Sequence, residues 1–288
     1  MIWLIGNRGM LGSEVERLLR LRQISYVASD ADIDICSFER LKEFAAGSKI
    51  EWIVNCAAYT NVDKAEEERK EAFRINCDGV KNIALLAKNL AARLIHISTD
   101  YVFSGNAADG YCETDKTKPI NIYGESKLCG EKEIAGLISN YFIIRTAWLY
   151  GRNGRNFVST MLKLFSERSE VRVVSDQFGS PTNASNLAGA ILNILASDSG
   201  KYGVYHYTDD GKIRWDQFAA EILHDALDLG IIKNKVKITP IKTEEYPLKA
   251  KRPVNSYLLK DKIKKELGIE PVDWKKSLRN FMEGLTAP

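Results

Sequence analysis

The chain opens in an apolar run. Ile2 to Ile5 contains no polar residue, and a short unbroken run of this kind reads as a strand buried on both faces. Past it the period changes. Leu11, Val15, Leu18 and Leu19 recur at three- and four-residue spacing, with Glu14, Glu16, Arg17 and Arg20 on the opposite side, which predicts an amphipathic helix. Ile24 to Ser29, Ile50 to Cys56, Leu94 to Ser98 and Tyr141 to Thr146 are further strand-like runs. Between the third and fourth of these five runs lies a stretch in which Val80, Ile83, Ala84, Ala87 and Leu90 repeat at helical spacing. Strands alternating with helices form parallel βαβ units, whose helices must cover both faces of the sheet. The predicted fold class is therefore α/β, a doubly wound parallel sheet. After about residue 150 the alternation loses regularity, punctuated by Pro181, Pro240, Pro247 and Pro253. A smaller C-terminal lobe is expected there, with Leu187 to Leu195 and Val204 to Tyr207 fitting either that lobe or the main sheet.

Composition narrows the partners. The 288 residues carry 41 basic and 38 acidic side chains, a formal charge of +3, and no like-charge block longer than Glu66 to Glu68. Nothing resembles an electrostatic footprint for nucleic acid. No apolar run approaches the roughly 20 residues of a membrane span, and Met1 to Gly6 enters a strand without a basic leader, so a cytoplasmic protein is expected. Five cysteines (Cys36, Cys56, Cys77, Cys112, Cys129) form an odd set with no C-x-x-C pair, and reduced thiols are the expectation. The three histidines show no H-x-x-x-H spacing, so no metal is expected. His96, inside an apolar run, reads as a packed core histidine.

Candidate chemistry begins at the first turn. Gly6-Asn7-Arg8-Gly9-Met10-Leu11-Gly12 follows the first strand and opens the first helix. So tight a turn needs residues without Cβ, so that backbone can approach a pyrophosphate and the helix N-terminus can offer free N–H groups. The fold is then Rossmann-like, with residues 1–150 the dinucleotide-binding domain and residues 151–288 mainly the substrate-binding lobe. Asp30, ending the second strand, suits an adenosine ribose and so NADH. Arg8 suits a 2′-phosphate and so NADPH, and both cofactors stay open.

Tyr123 has a lysine four residues on, Lys127, one turn along the same helix face. An ammonium beside a phenol favours the phenolate, which predicts a Tyr123 pKa drawn toward neutral. The pair alone also fits a solvated helix face. Thr99 decides between them, because Ser98-Thr99-Asp100-Tyr101 lies at a strand's C-terminal end, where open α/β sheets bind ligands. Asn55 to Thr60 ends another strand with small residues, suiting a backbone that passes close to a nicotinamide. Asn76 is either exposed or organises groups near Lys127.

These motifs resemble the dTDP-4-dehydrorhamnose reductase family nearly end to end. The likeness adds Ile33-Asp34-Ile35, Arg145 to Gly151, Asp176 to Thr182 and Arg252 to Ser256 to the runs already quoted. It implies reduction of the C4 ketone of dTDP-4-dehydro-β-L-rhamnose by NADH or NADPH. Tyr123 would donate the proton, Lys127 would lower its pKa and bind ribose, and Thr99 would orient the carbonyl. Asp34 and Ile35 would flank the adenine, while Ala57, Ala58 and Thr60 would line the nicotinamide half. Asp100, Tyr101, Trp148, Asn156, Gln177 and Arg252 are candidates for sugar and diphosphate contacts, Arg252 through its bidentate fork. Some members bind magnesium through glutamates between subunits. Glu14 matches one such position but Ser185 stands at another, so a homodimer is expected without a bridging metal. Two alternatives remain: a regulatory subunit resembling the methionine adenosyltransferase β subunit, and another nucleotide-sugar reductase or epimerase.

Overall fold

The computed structural model of the chain describes residues 1–197 and 199–286. The first half alternates as the hydrophobic pattern predicts: β1 (Ile2–Ile5), α1 (Met10–Leu21), β2 (Tyr26–Ser29), α2 (Phe38–Ala45) and β3 (Trp52–Asn55). Two short helices, α3 (Val62–Ala65) and α4 (Arg69–Phe73), lead into a π-helix (Arg74–Gly79) and then α5 (Val80–Leu90). β4 (Arg93–Thr99), α6 (Ile122–Leu137) and β5 (Tyr141–Thr146) follow. The second half contains β6 (Leu149–Tyr150), α7 (Phe157–Glu167), β7 (Glu170–Val174), β8 (Phe178–Gly179), β9 (Thr182–Asn183) and α8 (Ala184–Ala196). It ends with β10 (Gly203–His206), β11 (Ile213–Arg214), α9 (Trp215–Asp228), β12 (Lys237–Ile241), α10 (Asp261–Leu267) and α11 (Trp274–Thr286).

Six strands form the main sheet in the order β10-β5-β4-β3-β1-β2, every pair parallel. Alternating side chains of β1 serve opposite faces. Leu4 joins Val54 and Ile95 beneath Leu11, Val15 and Leu19 of α1 and Leu187 and Ile191 of α8. Trp3 and Ile5 join Ile53 beneath Leu41 of α2, Ile83 and Ala87 of α5, and Ile134 of α6. Each such side chain contributes roughly 1.5–3 kcal/mol on burial, so both layers are held firmly. The two segments left open by the sequence go to the main sheet: β10 pairs with β5, and α8 packs in the same core as α1. α10 joins the main core through Ile263, while α7, β7, α9 and α11 build a separate core around Tyr150, Phe165, Phe218, Trp274 and Leu278. No helix among the described residues is long and apolar enough to cross a membrane.

One expectation is corrected. Cys77 of the π-helix and Cys129 of α6 are joined as a disulfide across 52 residues of sequence, leaving Cys36, Cys56 and Cys112 free. They meet because the π-helix packs unusually close to α6: a Cβ on Gly130 would lie 2.3 Å from the Asn76 carbonyl oxygen. Spacing along the chain carries no sign of that contact.

Candidate active site

From β1 the chain runs outward to β2 and returns to β3 on the other side of β1. This reversal opens a crevice at the strands' carboxyl ends, where doubly wound sheets bind ligands. The glycine turn fills its floor. Gly6 takes φ +80°, and a Cβ there would stand 2.7 Å from the Ala57 nitrogen, so the turn lies directly against the loop after β3. A Cβ on Gly12 would sit 1.9 Å from the Gly6 carbonyl oxygen, which keeps the first turn of α1 pressed onto the loop. Gly9 caps α1 without a side-chain hydrogen bond, leaving the helix's first N–H groups to a ligand. Asp30 accepts from the backbone N–H of Arg8 at 3.0 Å, tying the turn to the end of β2, and the Arg8 side chain is exposed.

The chemical groups sit above this floor. Thr99 ends β4, accepts from the Tyr101 N–H at 3.1 Å and donates to Asp100 at 3.0 Å. Asn121 caps α6 by accepting from the Gly124 N–H at 2.8 Å, while its amide donates to the Lys251 carbonyl. A Cβ on Gly124 would lie 2.2 Å from the Tyr101 carbonyl oxygen, so only glycine lets α6 approach the turn after Thr99 this closely. That approach sets Tyr123 beside Thr99, with the Tyr101 and Tyr123 rings edge to face at 5.8 Å. Lys127 follows one turn later, 2% exposed, donating to the Ile97 carbonyl at 2.7 Å with its amine 3.3 Å from His96 Nε2. Asn76 is fully buried: it accepts from the Tyr59 N–H, donates to the Tyr59 carbonyl and to Ser126, and so ties the loop after β3 to α6.

The electrostatics differ from the sequence expectation at Tyr123. Burial pushes its phenol up to about 12, with a hydrogen bond shared with Thr99 opposing, whereas a value drawn toward neutral was expected. The physical reason is desolvation, together with the neighbouring Asp100 carboxyl, which disfavours a phenolate. Burial draws Lys127 itself down to about 8 and pushes the Asp100 carboxyl up to about 7.

Gly6, Arg8, Gly9, Met10, Leu11, Asp30, Asp34, Ile35, Ala57, Ala58, Thr60, Thr99, Asp100, Tyr101, Tyr123, Lys127 and Trp148 line one cleft of about 1020 Å³. Gly12 shapes it from behind. Asn156, Gln177 and Arg252 lie outside its lining. Asn156 caps α7, Gln177 donates to Thr243, and Arg252 makes a bidentate ion pair with Asp63 at 2.7 Å for each oxygen, beside Tyr101.

A single cleft thus joins a diphosphate-sized glycine turn to a tyrosine, a lysine and a threonine. The family model described as the RmlD substrate binding domain matches residues 1–287. The dTDP-4-dehydrorhamnose reductase of Escherichia coli K12 is 37% identical over 99% of this chain and 97% of its own length. The chain belongs to the dTDP-4-dehydrorhamnose reductase family. A solved member of that family from Clostridium acetobutylicum superposes with a TM-score of 0.93 at 39% identity, covering 99% of each chain. Another from Bacillus anthracis, solved in complex with NADP, gives 0.91 at 36% identity over 98% of each.

Sequence reasoning missed several groups in this reductase-family cleft. Arg74, ion-paired to Asp34 at 3.2 Å, lines it, and so do Arg155 and Trp215. Trp215 stacks on Trp148 at 3.6 Å. Trp148 takes φ +46°, a left-handed conformation costly for a bulky residue, and Gly179 makes room for its ring. No local motif announces this pair, because α9 reaches the cleft only through tertiary packing. Glu14 and Ser185 both bond the guanidinium of Arg17, at 2.9 and 3.1 Å.

Proposed function

We propose that the chain reduces the C4 ketone of dTDP-4-dehydro-β-L-rhamnose to dTDP-β-L-rhamnose, using NADH or NADPH. The observation that carries this reading is the convergence of Thr99, Tyr123 and Lys127 on the cleft that contains the glycine turn. The turn fits a dinucleotide, since its close approaches leave backbone N–H groups uncovered at α1. Asp30 and Arg8 stand where the two cofactors differ, and the NADP-bound relative supports NADPH.

The reduced nicotinamide supplies the hydride. Tyr123 keeps its proton at neutral pH because burial favours the neutral phenol, so it is ready to donate to the ketone oxygen as negative charge develops there. Thr99, already bonded to Asp100, turns its hydroxyl to orient that oxygen. Lys127 holds the ribose and offsets the charge left on Tyr123. The stacked Trp148 and Trp215 give the deoxysugar a flat apolar wall. Arg252, paired with Asp63 beside Tyr101, is the candidate for the diphosphate, and reaching it would mean exchanging one of those bonds.

The test follows reduced-nicotinamide absorbance with purified protein, dTDP-4-dehydrorhamnose and each cofactor in turn. Turnover is expected, and Tyr123→Phe should lose a factor of about 10²–10⁴. Absence of turnover in the native chain, or full activity in the variant, would sink the reading. The reading also places the protein in the cytoplasm and makes it a homodimer, which sedimentation of the purified chain checks.

A further inference from the structure

Lys127 is buried among groups that determine its charge. Its closest polar neighbours are the Ile97 carbonyl and His96 Nε2, both on β4. Cys56, just past β3, faces it with a thiol that burial pushes up to about 12, so the thiol stays protonated. Glu131, one turn along α6, is bidentate to Arg145 of β5 and accepts from Ser98, and its charge favours the ammonium against burial. Tyr123, on its own helix, carries its proton. His96 is the neighbour whose hydrogen-bonding role is open.

The structure settles that role. Asn55 and His96 lie opposite each other on β3 and β4, with Asn55 Nδ2 3.0 Å from His96 Nδ1. The Asn55 amide cannot flip without losing another bond, because its Oδ1 accepts the Ala57 N–H at 3.0 Å. Its Nδ2 therefore donates, and His96 Nδ1 must be the unprotonated nitrogen. Burial keeps the ring neutral, so its one proton sits on Nε2 and points at Lys127. An N–H facing an ammonium is a clash of donors. Facing a neutral amine, it is a hydrogen bond.

We propose that Asn55 and His96 are positioning residues for Lys127: by fixing the imidazole tautomer they stabilise the lysine's neutral amine and set the pH at which it loses its charge. Burial acts in the same direction, drawing Lys127 down to about 8. The inference deepens the reductase reading and rests on it for the link to turnover. The ionisation of Lys127 itself does not depend on that link.

Asn55→Asp tests it. A carboxylate keeps the bond from Ala57 and accepts from Nδ1–H, which moves the proton off Nε2 and turns its lone pair toward the ammonium. Three readouts are compared on the full chain: the His96 tautomer by ¹⁵N NMR, Lys127 ionisation by ¹³C NMR of labelled lysine, and the alkaline limb of kcat. The native chain should show Nε2–H and a lysine titrating near 8. The variant should show Nδ1–H, with the lysine and the alkaline limb both moved up by at least one pH unit, tenfold in the proton equilibrium. A native Nδ1–H tautomer overturns the proposal even if the variant fails to fold. So does an unmoved lysine, or one that moves while the tautomer stays, since added charge alone would then be acting. A shifted lysine in a chain that never consumes reduced nicotinamide would sink the reductase reading and leave this one standing.

Discussion

Gly124→Ala is the smallest change that should separate the catalytic groups while sparing the fold. The added Cβ would lie 2.2 Å from the Tyr101 carbonyl oxygen and 3.1 Å from the Pro119 side chain. Carbon–oxygen contacts settle at about 3.3–3.6 Å, so α6 must retreat from the turn after Thr99 by at least about 1 Å. Tyr123 precedes the substituted residue and would move with it, away from Thr99. A misplacement of about 1 Å at reacting groups costs about 100-fold in rate. Alanine also favours helix over glycine by about 1 kcal/mol, which offsets part of the strain and keeps the chain folded. Gly136, near the other end of α6, has nothing within 4 Å of its Cβ position and supplies the control. Steady-state kinetics beside thermal unfolding should show Gly124→Ala losing about two orders of magnitude in kcat with little change in far-ultraviolet dichroism, while Gly136→Ala stays fully active. Native kcat in Gly124→Ala would refute the claim that this approach sets Tyr123 against Thr99.

Two further outcomes concern buried charge. Arg145 and Glu131 are each 4% exposed and pair at 2.7 Å, so Arg145→Met strands a carboxylate and should cost about 3–5 kcal/mol in urea unfolding; a loss under about 1 kcal/mol would mean the carboxylate finds another partner. Asp100 has its folded pKa raised by burial to about 7, so the folded chain holds a proton that the unfolded chain has released. Its contribution is therefore fully present below about pH 4 and lost as pH rises through 7, on the order of 4 kcal/mol at about 1.36 kcal/mol per unit. Unfolding at pH 5 and pH 8 should show Asp100→Asn flattening that slope, and an unchanged slope would assign it to other groups.

What could be read from the sequence was what repeats or what is local. The four residues of β1 and the apolar stripe of α1 are spelled out by period, and the glycine turn by its lack of side chains, so the floor of the cleft was legible. Thr99, Tyr123 and Lys127 were legible because strand-end placement and helical spacing are local properties. Cys77 and Cys129 were not, since their meeting depends on how the π-helix beds against α6. Trp215 was not, since α9 arrives at the cleft from the other lobe. His96 was expected in the core and is there, yet its tautomer is decided by an amide on the neighbouring strand.

A common device holds the loops of this site. Asn55 accepts from Ala57 and turns its amide to His96; Asn76 accepts from Tyr59 and donates to Ser126; Asn121 accepts from Gly124 and donates to the Lys251 carbonyl. In each case one side chain satisfies a backbone N–H with its oxygen and fixes a second segment with its nitrogen. Aspartate can only accept, so it would reverse the bond at His96, lose the one to the Lys251 carbonyl, and bring a charge into a dry site; serine would lack the reach. Between them they fix the loop after β3, the start of α6 and, on the tautomer proposed for His96, the charge state of Lys127. The reacting groups are thus positioned by neutral amides, so the site needs no buried ionised group beyond those that do chemistry and the Arg145–Glu131 pair beneath them.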